Sequence, residues 1–426
     1  MRRALGFALF SVALGVLGAL GACSSADDPP TGPTTGGGGE WGGSDGPVLD
    51  DGGGEGGFSS GEGGGRAALQ DLLMRLRSDR DGTLQEESRA HGWPVFIDGW
   101  RIVVSTDPAF DEVAGDFDAW LGTPLTPDDG FAWAALPDVD GARYKLKAAA
   151  TFEADPWSRS YDYDEFGELS YVHTSGKRLD RFFGVTDPST RLAPRTIRVL
   201  IPEGGATHVL YVHDGQNLFD PNAPWGGWDL EASAPPAMMI VGIDNTPARM
   251  DEYTQVEDQI SGQSVGGLGD AYAALVEDAV RPLVDDVYGE PPIVGVMGSS
   301  LGGLISLHEG YRYPDRYDFV ASLSGTLGWG SIGPVHTGET MIERYDAVGV
   351  MPFVVYLDSG GAGPCADTDG DGADNYCETI QMRDTMAADG WVFDQNLFHW
   401  YEPGATHDEA SWAARVSHPL EIFAAL

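Results

Sequence analysis

The spacing of apolar positions changes character several times along the chain. Residues 4–20 form one continuous apolar run behind Arg2 and Arg3. Residues 24–66 carry almost no apolar periodicity and are rich in Gly, Ser, Thr, Pro and acids. Leu69, Leu72, Leu73 and Leu76 then recur at helical spacing, which predicts a helical segment over 67–90. From Trp93 to about Thr151 the pattern shortens. Apolar runs at 102–104, 132–135 and 144–147 are separated by Pro, Asp and Gly turns, which predicts a small all-β sandwich. From Arg195 onward short apolar runs at 196–201, 209–212, 238–241, 293–297, 319–321 and 353–357 alternate with helical stretches such as 270–288 and 303–313. That alternation predicts an α/β fold, a mostly parallel sheet covered by helices on both faces. Chemistry in such sheets gathers at the carboxyl ends of the strands.

Each of these segments has a place in the domain plan. A charged start and an apolar run over 1–22 read as an export signal. The run ends at Leu20-Gly21-Ala22-Cys23, which resembles a bacterial lipobox and implies lipidation of Cys23. No later run reaches the ~18–20 apolar residues of a membrane span, so attachment would be by lipid anchor only. Ser24 and Ser25, with no Asp beside the cysteine, point to the outer membrane or cell surface. Residues 23–66 cannot bury enough apolar surface to fold and read as a tether of roughly 35 Å reach. The expected sandwich covers 67–165 and the α/β part 166–426.

Charge removes some functions. The 426 residues hold 66 Asp and Glu against 25 Lys and Arg, a formal net charge of −41. Nucleic acid and polybasic membrane contacts need clustered cations, so both are excluded as partners. Three cysteines exclude a disulfide-dense scaffold.

The chemistry centres on Gly298-Ser299-Ser300-Leu301-Gly302-Gly303, between the apolar run 293–297 and a helical pattern. Gly-x-Ser-x-Gly in that setting is a nucleophile elbow: a sharp turn that exposes Ser300 at a helix start, with no room for Cβ atoms beside it. The Leu301 amide is then placed to hold an oxyanion. A second donor is expected after an earlier strand, at His213-Asp214-Gly215-Gln216-Asn217, with the Gln216 amide as candidate. A base is expected late in the chain, and His407, in a loop before the helical pattern 410–415, is the candidate. The orienting acid lies between them. Asp358 at the end of the run 353–357 is the first choice, with Asp367, Asp374 and Glu378 as rivals because an insertion follows directly.

That insertion, 365–378, carries Asp367, Asp369, Asp371, Ala373, Asn375 and Glu378 at positions 1, 3, 5, 7, 9 and 12 of an EF-hand-type loop, with Gly372 at the sixth. Oxygen ligands at this spacing suit a structural Ca2+ ion. Cys365 and Cys377 flank the loop and are expected to form a disulfide in an exported chain. Catalysis itself needs no cofactor in this reading.

Two resemblances extend these readings. Gly115-Asp116-Phe117-Asp118-Ala119-Trp120, Gly130-Phe131-Ala132-Trp133, Ala142-Arg143-Tyr144-Lys145-Leu146 and Ala154-Asp155-Pro156-Trp157-Ser158-Arg159 resemble the early-set, immunoglobulin-like domain that precedes glycogen-active enzymes and enterochelin-esterase-like hydrolases. It implies a glycan-binding or substrate-shaping module; packing is the favoured role for Trp120, Trp133 and Trp157. Tyr211 through Phe219, Val241-Gly242-Ile243-Asp244-Asn245 with Arg249 and Glu252-Tyr253, the elbow, and His407-Asp408-Glu409 with Trp412 resemble the esterase family of α/β-hydrolases that contains enterochelin esterases, S-formylglutathione hydrolases, feruloyl esterases and mycolyltransferases. The resemblance covers about 190–426. It implies a serine esterase, exported if the signal reading holds, acting on a small-molecule or glycan-linked ester, with Ser300 and His407 by direct motif match. An acyltransferase on the same residues, or a glycan-binding protein with an inactive hydrolase domain, are the alternatives. Trp225, Trp228 and the loop 249–269 are candidate pocket walls.

Overall fold

The computed structural model describes residues 63–223, 226–363, 365 and 373–426. The expected signal, most of the expected tether, Cys23, Trp225, Asp367, Asp369 and Asp371 lie outside the described residues.

The first helix, Gly63–Ser78, begins inside the segment expected to be tether. A second, Arg80–Ala90, follows after Asp79, whose side chain caps it by accepting from Gly82 N at 3.1 Å. The leucine stripe of the first helix packs on one face of a four-stranded sheet, built from Val95–Ile97, Trp100–Ser105, Ala132–Pro137 and Thr126–Pro127. The other face of that sheet meets strands Glu112–Gly115 and Arg143–Ala148 across a second core containing Val103, Val113, Leu136, Tyr144 and Leu146. Trp133 is buried in the first core, Trp157 packs against it, and Trp120 donates its indole N–H to Asp116 at 3.0 Å.

The α/β part is built on parallel strands in the order Leu397–Tyr401, Val354–Ser359, Phe319–Leu323, Ile293–Ser299, His208–His213 and Met238–Ile243. Arg195–Ile201 and then Arg178–Val185 continue the sheet antiparallel. Alternate residues along each strand point to opposite faces. Val209 and Tyr211 join a core under the helices Leu301–Arg312, Met341–Val348 and Tyr376–Ala388. Leu210 and Val212 join a core under Glu409–Arg415 and Ser417–Phe423. The helix expected over 270–288 widens at Val276–Val280, just before Pro282, which has no N–H to continue the ladder.

The expected boundary at 165/166 is corrected. It cuts a hairpin in which Ser160–Asp164 pairs with Gly167–Tyr171, Gly167 opposite Asp164. Ser160–Asp164 also pairs with Arg178–Val185, so one hydrogen-bonded sheet runs from the all-β part into the α/β part. Strand edges are satisfied by pairing, and here Arg178–Val185 at the α/β side pairs with Ser160–Asp164 of the all-β side. Chain order reverses at His208–His213, whose neighbours are Ile293–Ser299 and Met238–Ile243. The crevice beyond the carboxyl ends of these strands is where the fold leaves room for a site.

Candidate active site

Ser300 follows the strand Ile293–Ser299 directly and opens the helix Leu301–Arg312. Its backbone is at φ 57°, ψ −122°, a strained conformation for a residue with a Cβ. The sequence folds this way because Gly298 lies against the incoming helix. A Cβ there would sit 2.5 Å from the Gly302 carbonyl carbon. Leu301 is the first residue of the helix. Gln216 lies on the one-turn segment Gly215–Asn217, directly after His208–His213. The parallel register, Val212 opposite Met297, brings that turn level with the elbow. The turn is held from both sides: Asn217 N donates to Asp214 O at 2.9 Å, and the Gln216 Oε1 atom accepts from Asn245 N at 3.1 Å.

His407 meets Ser300 across the crevice, its Nε2 lying 2.9 Å from Ser300 Oγ. The ring stands edge-on to Trp412, centroids 5.0 Å apart. Its Nδ1 lies 2.7 Å from Asp374 Oδ1. Asp374, a rival in the sequence reading, is therefore the carboxylate that reaches the imidazole. Its backbone is left-handed at φ 54°, a conformation that Asp tolerates better than most residues. Its other oxygen, Oδ2, accepts from Gly360 N at 2.5 Å, Ser324 Oγ at 2.8 Å and Arg415 Nη2 at 3.2 Å. These donors leave Oδ1 facing the histidine.

Asp358, the first choice from sequence, does not contact His407. It is still inside the sheet, level with Trp400 and Leu323 on the neighbouring strands. Its fully buried oxygens are taken by Arg415 Nε at 3.0 Å and the Tyr356 hydroxyl at 3.1 Å. Burial, only partly offset by Arg415, pushes its carboxyl up to about 6. An acid that reaches the imidazole has to project beyond the strand ends, and the turn Ala373–Asn375 supplies it. Cys365, before this turn, is joined by a disulfide to Cys377 in the first turn of the helix Tyr376–Ala388, three residues after Asp374.

The remaining expected residues have the following neighbours among the described residues. Asn375 Nδ2 donates to Ser324 O at 2.8 Å and to Thr326 Oγ1 at 3.3 Å. Glu378 Oε2 accepts from Gly328 N at 3.0 Å. The Ala373 carbonyl packs against Gly361, where no Cβ would fit. With Asp367, Asp369 and Asp371 outside the described residues, no group of three or more His, Cys, Asp or Glu that could hold a metal is found among the described ones. Trp228 is buried against Trp412 in the core and is not a pocket wall. The loop 249–269 folds into a short helix, Arg249–Glu252, and a hairpin, Glu257–Ile260 with Gln263–Gly266. The buried Asp258 side chain accepts the N–H groups of Gly330, Ile332 and Gly333, which fastens this hairpin to the neighbouring loop.

Two residues at the site escape sequence reading. Ser324 directly follows the strand Phe319–Leu323 with φ 47° and donates to Asp374. Arg415 is almost fully buried between Asp358 and Asp374. The only sequence trace of Arg415 is its place three residues after Trp412, on the same helix face.

A family model described as Putative esterase matches residues 191–420. The Bacillus subtilis (strain 168) protein named Uncharacterized protein YbbA is 30% identical over 132 residues, covering 29% of this chain and 52% of that one. The chain thus spans about half the length of that relative. The structure of an IroE-like serine hydrolase from Shewanella oneidensis is 21% identical, covers 58% of this chain and 80% of its own, and superposes with a TM-score of 0.46. The enterobactin esterase FES from Shigella flexneri is 14% identical, covers 76% of this chain and 93% of its own, with a TM-score of 0.42.

Proposed function

Because this chain belongs to the family described as Putative esterase, whose model matches more than half of it, we propose that it hydrolyses carboxylic esters through an acyl-enzyme on Ser300. The observation that carries the proposal is the relay Ser300 Oγ, His407, Asp374, with links of 2.9 and 2.7 Å. His407 Nε2 takes the hydroxyl proton as Oγ attacks the ester carbonyl carbon. The carbonyl oxygen becomes an oxyanion held by the amides of Leu301 and Gln216. Asp374 stabilises the imidazolium and fixes its tautomer. The carbon–oxygen bond to the alcohol breaks as the imidazolium returns its proton to the leaving oxygen. Water, deprotonated by the same nitrogen, then attacks the acyl carbon and frees Ser300.

Two accompanying features belong to the proposal. Export with lipidation at Cys23 rests on the run 4–20 and the lipobox-like ending, and the Cys365–Cys377 disulfide suits an oxidising compartment. A Ca2+ ion on the 367–378 loop rests on the alternation of Asp367, Asp369 and Asp371.

Hydrolysis of short-chain p-nitrophenyl esters tests the reading, against Ser300→Ala and with or without EDTA. The expected result is a rate that falls by roughly 10,000-fold or more in Ser300→Ala. Equal rates in the two proteins sink the proposal. EDTA sensitivity in the wild type supports the calcium loop.

A further inference from the structure

Buried ion pairs are a poor way to stabilise a fold, because desolvation consumes most of the attraction. The group behind His407 nevertheless contains three fully buried charged side chains. Arg415 places Nε 3.0 Å from Asp358 Oδ1 and Nη2 3.2 Å from Asp374 Oδ2. Its side chain is 2% exposed and both carboxylates are 0% exposed. Ser324 Oγ sits among them, accepting from Arg415 and from the Trp412 indole N–H at 3.1 Å while donating to Asp374. The Tyr356 hydroxyl closes the far side of Asp358.

We propose that Asp358 and Arg415 are positioning residues for the proton relay: a neutral buried pair that locks the Asp374 carboxylate toward His407 while leaving it one undivided negative charge. The proposal rests on the reading of Ser300, His407 and Asp374 as a relay. The charge arithmetic is specific. Above the raised Asp358 value of about 6, two carboxylates and one guanidinium sum to one negative charge, which is what a transient imidazolium requires. Without Asp358, the whole cation would fall on Asp374 and cancel that charge. Without Arg415, Asp374 would lose a donor that fixes Oδ2, and two buried carboxylates would face each other.

The other groups around His407 do not alter the sum when Asp358 or Arg415 is changed. Ser300 faces Nε2 from the elbow and Trp412 faces the ring from its own helix. Asp408 caps that helix, accepting from Ser411 N. Glu409 accepts from Asn217 Nδ2. Beyond them, Asp214 is paired with Arg249.

The test uses the full-length chain and a fluorophosphonate probe. Ser300 Oγ attacks phosphorus, fluoride leaves, and the hydroxyl proton passes to His407. The labelling rate therefore reports the relay whatever the natural substrate is. Rates are measured against pH for wild type, Asp358→Asn, Arg415→Met and the double variant. Removing a negative charge near His407 disfavours the imidazolium, so Asp358→Asn moves the acid limb of the profile to lower pH. Removing the positive charge does the opposite, so Arg415→Met moves it to higher pH. Each single variant is expected to slow labelling about 10- to 100-fold at the plateau. The double variant restores one net negative charge, and its limb returns to the wild-type position with a rate closer to wild type than either single variant. Arg415→Lys keeps the charge but cannot span both carboxylates; it slows labelling without moving the limb, and it serves where Arg415→Met does not fold. Coincident limbs in all variants, or a double variant no better than the worse single one, overturn the proposal. Labelling that persists in Ser300→Ala overturns the relay reading itself, a separate outcome.

Discussion

The nucleophile side and the acid side of this site are held in place by different means. Ser300 is delivered by six consecutive residues. The strand Ile293–Ser299, the tight approach of Gly298 to Gly302 and the helix after them leave the chain little choice of path. Asp374 lies on the turn Ala373–Asn375, well beyond the end of the strand Val354–Ser359 in sequence. Its position depends on Gly360 N, Ser324, Arg415 and the disulfide, and none of these follows from its immediate neighbours. A local motif is over-determined by its own backbone. A long-range one is only as well placed as the groups that converge on it.

The comparison is tested most severely by the acid itself. Asp374→Asn is expected to lower kcat on the order of 10,000-fold, by favouring the wrong imidazole tautomer. Asp358→Asn should cost far less. A larger loss for Asp358→Asn, in ester hydrolysis kinetics on folded protein, would reverse the assignment of the two carboxylates.

Next in size is the clamp on the acid segment. Replacing Cys365 and Cys377 together by Ser should lower stability by ~2–3 kcal/mol in denaturant unfolding. The same change should lower kcat about tenfold through misplacement of Asp374. Fluorophosphonate labelling of the double mutant at high pH, where His407 needs less help, should be affected less than at neutral pH. A clamp with no effect on turnover would show that the hydrogen bonds alone suffice.

The smallest effect sharpens the nucleophile side. His213 lies one residue before the turn that carries Asp214-Gly215-Gln216, and its Cβ is near the first turn of the elbow helix. Burial drives its imidazole down to about 3, against an ordinary value near 6.5. Between these values the unfolded chain binds a proton that the folded chain refuses. Stability is therefore lost as pH falls from about 6.5 toward 3, and is fully kept above that window. His213→Gln should flatten this part of the melting-temperature profile relative to wild type by a few degrees. An unchanged profile would mean that His213 is protonated in the folded state.

Much of this protein is legible without coordinates, for physical reasons that are local. Strand and helix periods mark the α/β layers because burial on both faces demands apolar runs. The elbow is legible because a sharp turn between strand and helix excludes Cβ atoms, which only a specific run of glycines allows. His407 is legible from its order after Ser300 and its loop before a helix. The sequence puts Asp358 ahead of Asp374, sixteen positions on, and the structure puts Asp374 at the imidazole. Both suit a turn, Asp358 after an apolar run and Asp374 inside the acidic insertion 365–378. Only the assembled sheet shows that the first is still enclosed between strands while the second emerges beyond them. The partition of charge among Asp358, Arg415 and Asp374, and the sheet that joins the two parts of the chain, are likewise tertiary facts. They depend on which distant groups meet in a space without water, and no local pattern records that.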